Sequence, residues 1–213
     1  MVTMKYTVLC LLSAWWFVQL VLCEVKMAVK EVSYGSSIKL AHKETGYRLH
    51  SHDVKYGSGS RENSVTGNKY AHDPNSLWLV KPQHGAPVQE QGTPVKCGDT
   101  IRLEHIETGC NLHTHTVRSP LSLQWEVCAD GYRDEVSDPA DNFNVECLEG
   151  SDHWLRGEQI RLKHPNTGLY IGSSAKYAYG APVQGQLEIF STREKSQGTI
   201  WWTKEGLYFP EHN

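Results

Sequence analysis

The sequence predicts an all-β fold made of three related parts, and three observations carry that reading. Apolar and polar residues alternate with the period of a half-buried strand, and helix-period stretches are scarce. Glycine-containing turn segments separate the short β-rich stretches. One pattern, I-[KR]-L-x-H-x-x-T-G-x-x-[LI], starts at Ile38, at Ile101 and again at Ile160.

The elements follow in order within each copy. In "IKLAHKETGYRL", "IRLEHIETGCNL" and "IRLKHPNTGLYI" the Ile and Leu side chains share one strand face. His42, His105 and His164 then open a turn. Gly46, Gly109 and Gly168 take the turn position that needs positive φ, and the threonine before each can hydrogen-bond locally. Leu49, Leu112 and Ile171 begin a return strand, so each copy is a hairpin. A second block ends at Val65, Val127 and Ile189 ("ENSV", "QWEV", "QLEI"), and a third carries Trp78, Phe143 or the pair Trp201 and Trp202. The turn histidines lie 63 (105 − 42) and 59 (164 − 105) residues apart, which sets a unit of about 60 residues. A lone hairpin is marginal in water, whereas three units closed around one axis bury their apolar faces together and remove free sheet edges. The expected units are residues 32–90, 91–150 and 151–209 of a single domain.

The first 23 residues read separately. Lys5 is their only charge, Tyr6–Leu22 is mostly apolar, and Cys23 is small. This predicts a signal peptide (1–23) cut near Glu24 and a mature domain over 24–213. Thr7, Ser13 and Gln19 make the run short and impure for a membrane span. No second apolar run follows, so no membrane span is expected after cleavage. Cleavage would move the net charge from −3 to −4 by loss of Lys5, and no basic run invites nucleic acid. Cys97, Cys110, Cys128 and Cys147 remain, an even number suited to disulfides in an oxidising compartment. Three pairings are open to them, and no C-x-x-C suggests zinc.

Histidine is the chemistry-bearing residue. His42, His105 and His164 recur at equivalent places, so they are read as structural. The pairs His50/His52 and His113/His115 put two imidazoles on one strand face, while unit three has "IGSS" there. No carboxylate or thiol stands at a telling spacing, so no metal site is expected. Packing or surface histidine is the first reading. The sharper one is a polar contact surface formed with Arg118, Gln124 and Trp125. Trp78, Trp154 and Trp201 read as core, whereas Trp125 and Tyr177 are candidates to stack on a sugar. No G-x-S-x-G, H-E-x-x-H or phosphate-binding glycine loop occurs, so neither an enzyme nor a cofactor is expected.

The three I-x-L-x-H-x-x-T-G-x-x-L segments resemble the MIR motif shared by protein O-mannosyltransferases, inositol trisphosphate receptors and ryanodine receptors. Three MIR units after a signal peptide resemble the stromal-cell-derived factor 2 family, with Gly92–Val127 resembling it at nearly every second position and residues 32–209 covered in all. The resemblance implies a β-trefoil, a six-stranded barrel capped by three hairpins. It also implies a Cys97–Cys147 disulfide, read as a staple between unit two and its neighbour. Cys110 and Cys128, on the two sides of the unit-two hairpin, are left as a second pair. The implied function is non-enzymatic quality control in the endoplasmic reticulum lumen. The implied partners are a J-domain co-chaperone with the chaperone BiP, and misfolded or O-mannosylated clients. The alternative is a secreted or lumenal lectin-like module for mannose-type sugars. The terminal "FPEHN" is not a K-D-E-L or H-D-E-L signal, so secretion stays open, as does an H-N-E-L end of which "HN" would be the start.

Overall fold

The computed structural model describes residues 30–132 and 137–211, except the side chain of His115. The expected signal peptide lies outside the described residues. Twelve strands follow one another: β1 (Ser37–His42), β2 (Arg48–Lys55), β3 (Asn63–Asn68), β4 (Trp78–Pro82), β5 (Thr100–His105), β6 (Asn111–Arg118), β7 (Trp125–Asp130), β8 (Phe143–Cys147), β9 (Gln159–Lys163), β10 (Tyr170–Ala178), β11 (Leu187–Thr192) and β12 (Trp201–Leu207). A short 3-10 turn precedes the last strand of each unit, at Pro74–Ser76, Pro139–Asp141 and Gln197–Thr199.

Antiparallel pairing closes β1, β4, β5, β8, β9 and β12 into a six-stranded barrel. The hairpins β2–β3, β6–β7 and β10–β11 form a triangular cap through β3–β7, β7–β11 and β11–β3 contacts. This is the β-trefoil. The repeated apolar positions fill its core: Ile38, Leu40, Leu49, Val65 and Trp78 in unit one have their counterparts in Ile101, Leu103, Leu112, Val127 and Phe143, and in Ile160, Leu162, Ile171, Ile189 and Trp201. Trp154 is also core, its indole donating to Thr203.

The other face of the first strand differs from the expected half-exposed pattern. Lys39, Arg102 and Arg161 are buried beneath the segments that lead into the 3-10 turns. Lys39 donates to the Ala71 and Asp73 carbonyls, Arg102 to Ser137, and Arg161 to the Ser196 carbonyl and Thr199. Each cation satisfies polar groups that would otherwise be stranded under a loop.

The turn histidines join the units head to tail. In each, Nδ1 meets the threonine hydroxyl three residues on, at 2.8–2.9 Å. His42 Nε2 donates to the Gly198 carbonyl of unit three, and His105 Nε2 to the Asn75 carbonyl of unit one. The rings pack against Trp201 and Trp78 at 5.1 and 5.0 Å. His164 packs on Phe143 and feels the Pro139 carbonyl, without a full hydrogen bond to it. Burial lowers the pKa of all three, which favours the neutral ring, and His42 and His105 donate from it to carbonyls. Gly46, Gly109 and Gly168 sit at φ +72°, +71° and +70°, the conformation expected of the turn.

Cys97 and Cys147 form the disulfide, with Cα atoms 5.6 Å apart. Both lie within residues 91–150, so the bridge closes unit two on itself instead of tying it to a neighbour. Cys110 and Cys128 do not pair. His113 stands opposite Cys128 in the β6–β7 ladder, which puts Cys128 on the face of His113. Cys110, three positions before His113, points to the other face. Cys110 precedes β6 and packs against the core, away from Cys128.

Candidate functional site

The position after the first apolar residue of each return strand is His50, His113 or Gly172, and it faces the 3-10 turn of its own unit. The last residue of that turn is Ser76, Asp141 or Thr199. His50 and His113 are both buried, so neither presents its ring to an open contact surface.

In unit one, His50 Nδ1 lies 3.3 Å from Ser76 Oγ and 4.0 Å from Asp73 Oδ1, and the His52 ring stands edge-on at 5.3 Å. Both His52 nitrogens are buried without a hydrogen bond. Burial holds the His50 pKa down to about 4, against the partial opposition of Asp73. In unit two, His113 Nδ1 lies 2.8 Å from Asp141 Oδ1 and 3.9 Å from Asp138 Oδ1. Burial alone would lower this imidazole, but the hydrogen bond and charge of Asp141, with Asp138 and Asp130 behind, raise it above the ordinary value. His115 follows in β6, its side chain outside the described residues.

Unit three has neither histidine. A Cβ on Gly172 would come within 2.7 Å of the Gly198 carbonyl oxygen, so the 3-10 turn has moved in where the siblings hold an imidazole. Beside it opens a groove of about 440 Å³, lined by Glu44, Gln124, Ser174, Tyr177, Phe190 and Glu194 among others. Tyr177 and Phe190 meet edge to face at 6.0 Å. Aromatic rings with carboxylate, amide and hydroxyl groups at the rim suit a polyhydroxylated or peptide ligand. The groove brings together Gln124 and Tyr177 of the expected contact residues. Arg118 and Trp125 are outside its lining: the Arg118 guanidinium stacks 4.0 Å over the Trp125 ring, and Trp125 pairs with Ser191 of β11, next to Phe190.

A larger depression of about 630 Å³ lies along β4. Its cations are committed, Lys81 to Glu104 and Arg102 to the Pro82 carbonyl and Ser137, so the groove of unit three is the better candidate. Phe190, Glu194 and Glu44 were not singled out from sequence. The available signal was negative: the histidine pair missing from one repeat marks the unit whose surface is open. Among the described residues that line the groove, no hydroxyl is hydrogen-bonded to a carboxylate, and burial pushes the Cys128 thiol up, away from reactivity.

Comparison with known proteins places this architecture. The MIR domain family matches residues 55–153. A stromal cell-derived factor 2-like protein of Dictyostelium discoideum is 46% identical over 186 residues, 86% of this chain and 86% of its own. Human stromal cell-derived factor 2 is 42% identical over 177 residues, covering 83% and 82%. The chain belongs to the stromal cell-derived factor 2 family. A family member from Arabidopsis thaliana, the SDF2-like protein, has a crystal structure that superposes with a TM-score of 0.82 at 42% identity, over 86% of this chain and 99% of that one. The family fold also matches a chain of the S. cerevisiae protein O-mannosyltransferase complex bound to the sugar donor, with a TM-score of 0.75 at 28% identity, over 84% of this chain and 26% of that chain. Both likenesses fit a secretory-pathway role, and the relatives are named as factors, not enzymes. Among the described residues, no helix is long and apolar enough to cross a membrane.

Proposed function

We propose that this family member is a non-enzymatic quality-control factor of the endoplasmic reticulum lumen. It binds a J-domain co-chaperone and, through it, BiP, and it engages misfolded or O-mannosylated clients. The supporting observation is the relationship to stromal cell-derived factor 2 across more than four-fifths of both chains. The work is binding, not turnover: a closed barrel holds the loops and the unit-three groove in fixed positions.

A second reading, a lectin-like module for mannose-type sugars, is favoured by the groove itself. Tyr177 and Phe190 offer an aromatic wall, and Gln124, Ser174 and Glu194 offer hydroxyl partners. One experiment separates the two. Tagged mature protein, made through the secretory pathway, is recovered under native conditions with its partners. A J-domain protein and BiP in near-stoichiometric amounts, unmoved by free mannose and retained by Tyr177→Ala, are the expected result. Recovery of mannosylated proteins alone, released by free mannose and lost in Tyr177→Ala, overturns the adaptor and establishes the lectin.

A further inference from the structure

Three metal-ligand side chains distant in the sequence meet in unit two. His113 comes from β6, while Asp138 and Asp141 cap the 3-10 turn before β8. One donor atom from each lies within 4.8 Å of the other two. The separations from His113 Nδ1, 2.8 Å to Asp141 Oδ1 in a hydrogen bond and 3.9 Å to Asp138 Oδ1, lie close to those of ligands sharing one ion. Two donors each about 2.0–2.2 Å from a metal stand roughly 3–4 Å apart, according to the angle between them. With Asp130 these residues wall a cavity of about 30 Å³, the size of one ion or water. His113 and Asp141 are buried, whereas the Asp138 side chain is 58% exposed, leaving one side open to solvent ligands.

We propose that this pocket is a binding site for one divalent transition-metal cation of the Zn²⁺ or Mn²⁺ kind, held by His113 Nδ1, Asp141 Oδ1 and Asp138 Oδ1. Imidazole with carboxylates suits those ions, whereas Ca²⁺ and Mg²⁺ favour oxygen alone. Asp141 is set for the task. Its Oδ2 accepts from Ser137 Oγ and the Asp138 amide, each at 3.0 Å, which turns Oδ1 to the cavity. The cation displaces the proton shared by His113 and Asp141.

The sibling units show that the fold does not require this arrangement. In unit one, neutral Ser76 occupies the place of Asp141 and meets His50. In unit three, Gly172 and Thr199 meet with no ligand on either. A buried carboxylate is therefore not needed to seat the 3-10 turn or the return strand. Asp141 closes the cap of its turn through Oδ2 and still presents Oδ1 to His113, a second carboxylate contact that neither sibling makes, and Asp138 and Asp130 stand beside it.

The test uses the mature chain, stripped with chelator and titrated with Zn²⁺ by calorimetry and with Co²⁺ by visible absorption. One ion per chain and a saturable Co²⁺ d–d spectrum are expected. Asp138→Asn keeps a competent cap, because Asn ranks with Asp there, and is expected to weaken Zn²⁺ binding about tenfold or more with unchanged metal-free melting. His113→Gln is expected to abolish the Co²⁺ spectrum. His52→Ala, in unit one, is expected to leave both readouts alone. No saturable binding by the wild type overturns the proposal. So does wild-type affinity in both Asp138→Asn and His113→Gln, or binding lost only with His52→Ala.

Discussion

Units one and three present the same hairpin to the same barrel, and they part along the return strand, where His50 and His52 of unit one are replaced by Gly172 and Ser174. His50 fills the space between its strand and the 3-10 turn, with His52 beside it and Ser76 against it. At Gly172 the turn closes down onto the backbone, and the room left beside it is the 440 Å³ groove. Where the three units agree, as at His42, His105 and His164, the residue ties one unit to the next. Where they disagree, the scaffold is indifferent and the side chain is available for something else. Function in a threefold protein is therefore sought at broken symmetry, and the predictions below exchange residues between units to test that.

The largest effect is expected from forcing unit three to match unit one. In Gly172→His, the new Cβ meets the Gly198 carbonyl, and that carbonyl is also the acceptor for His42 Nε2 at 3.0 Å. Overpacking thus also breaks the clamp between units three and one. The expected cost is about 3 kcal/mol, read from the midpoint of urea unfolding. Ligands that reach the groove should also be lost. A neutral result would mean that the 3-10 turn retreats freely and that the close approach at Gly172 is not what sets unit three apart.

Much of this comparison could be seen in the sequence, and its limits have physical causes. The twelve-residue pattern dictates two strands around a tight turn, so these strands, their turn glycines and the core aromatic of each third block were legible; the two strands meet at one residue pair only, as at Ala41 and Arg48, and the extended hairpins pair each return strand with the strand after it. Lys39, Arg102 and Arg161 were not legible as buried, because the segments that cover them lie 30 or more residues further on and carry no periodic signal. Asp141 meets His113 across 28 residues, through a turn only three residues long. The repeated Asp-Pro at Asp73–Pro74 and Asp138–Pro139 marks that turn in sequence, but not the strand it faces. Gln124 and Tyr177 were picked out for their chemistry, and only the fold brings them to one groove.

A smaller and more specific effect concerns protons. The folded-state pKa of His50 is held near 4 by burial, below the ordinary value near 6.5. Between these values the unfolded chain binds the proton more readily, so stability is full above pH 6.5 and is lost as pH falls toward 4. For this one imidazole the loss is about 2 kcal/mol between pH 7.5 and pH 5. His50→Gln should flatten the unfolding free energy over that window relative to wild type. His42, His105 and His164 are depressed as well and remain in both proteins, so the difference between the two slopes isolates unit one. Equal slopes would show that folding leaves the pKa of His50 where it is in the unfolded chain, and a steeper decline in His50→Gln would show it raised, as that of its counterpart His113 is.

The smallest exchange makes unit two resemble unit three at the loop before the third strand. Arg61, Leu123 and Gly185 are spaced by 62 residues (123 − 61 and 185 − 123), and all three have positive φ, at 65°, 60° and 81°. Only Gly185 adopts that conformation without a Cβ penalty. Leu123 is 66% exposed, so its side chain returns little burial for the strain. The loop cannot relax around it. The buried Glu188 carboxylate of unit three accepts from the amides of Leu121 and Ser122, at 2.6 and 3.0 Å, and from the Ser119 hydroxyl at 3.1 Å. Leu123→Gly should therefore stabilise the protein by about 0.5–1 kcal/mol, the lost αL penalty outweighing the greater freedom of glycine in the unfolded chain. Arg61→Gly should do the same in unit one. Destabilisation by Leu123→Gly alone would show that the leucine packs on the hairpin more firmly than its exposure suggests. Stabilisation of both variants identifies the strain as a shared property of the loop that unit three has shed.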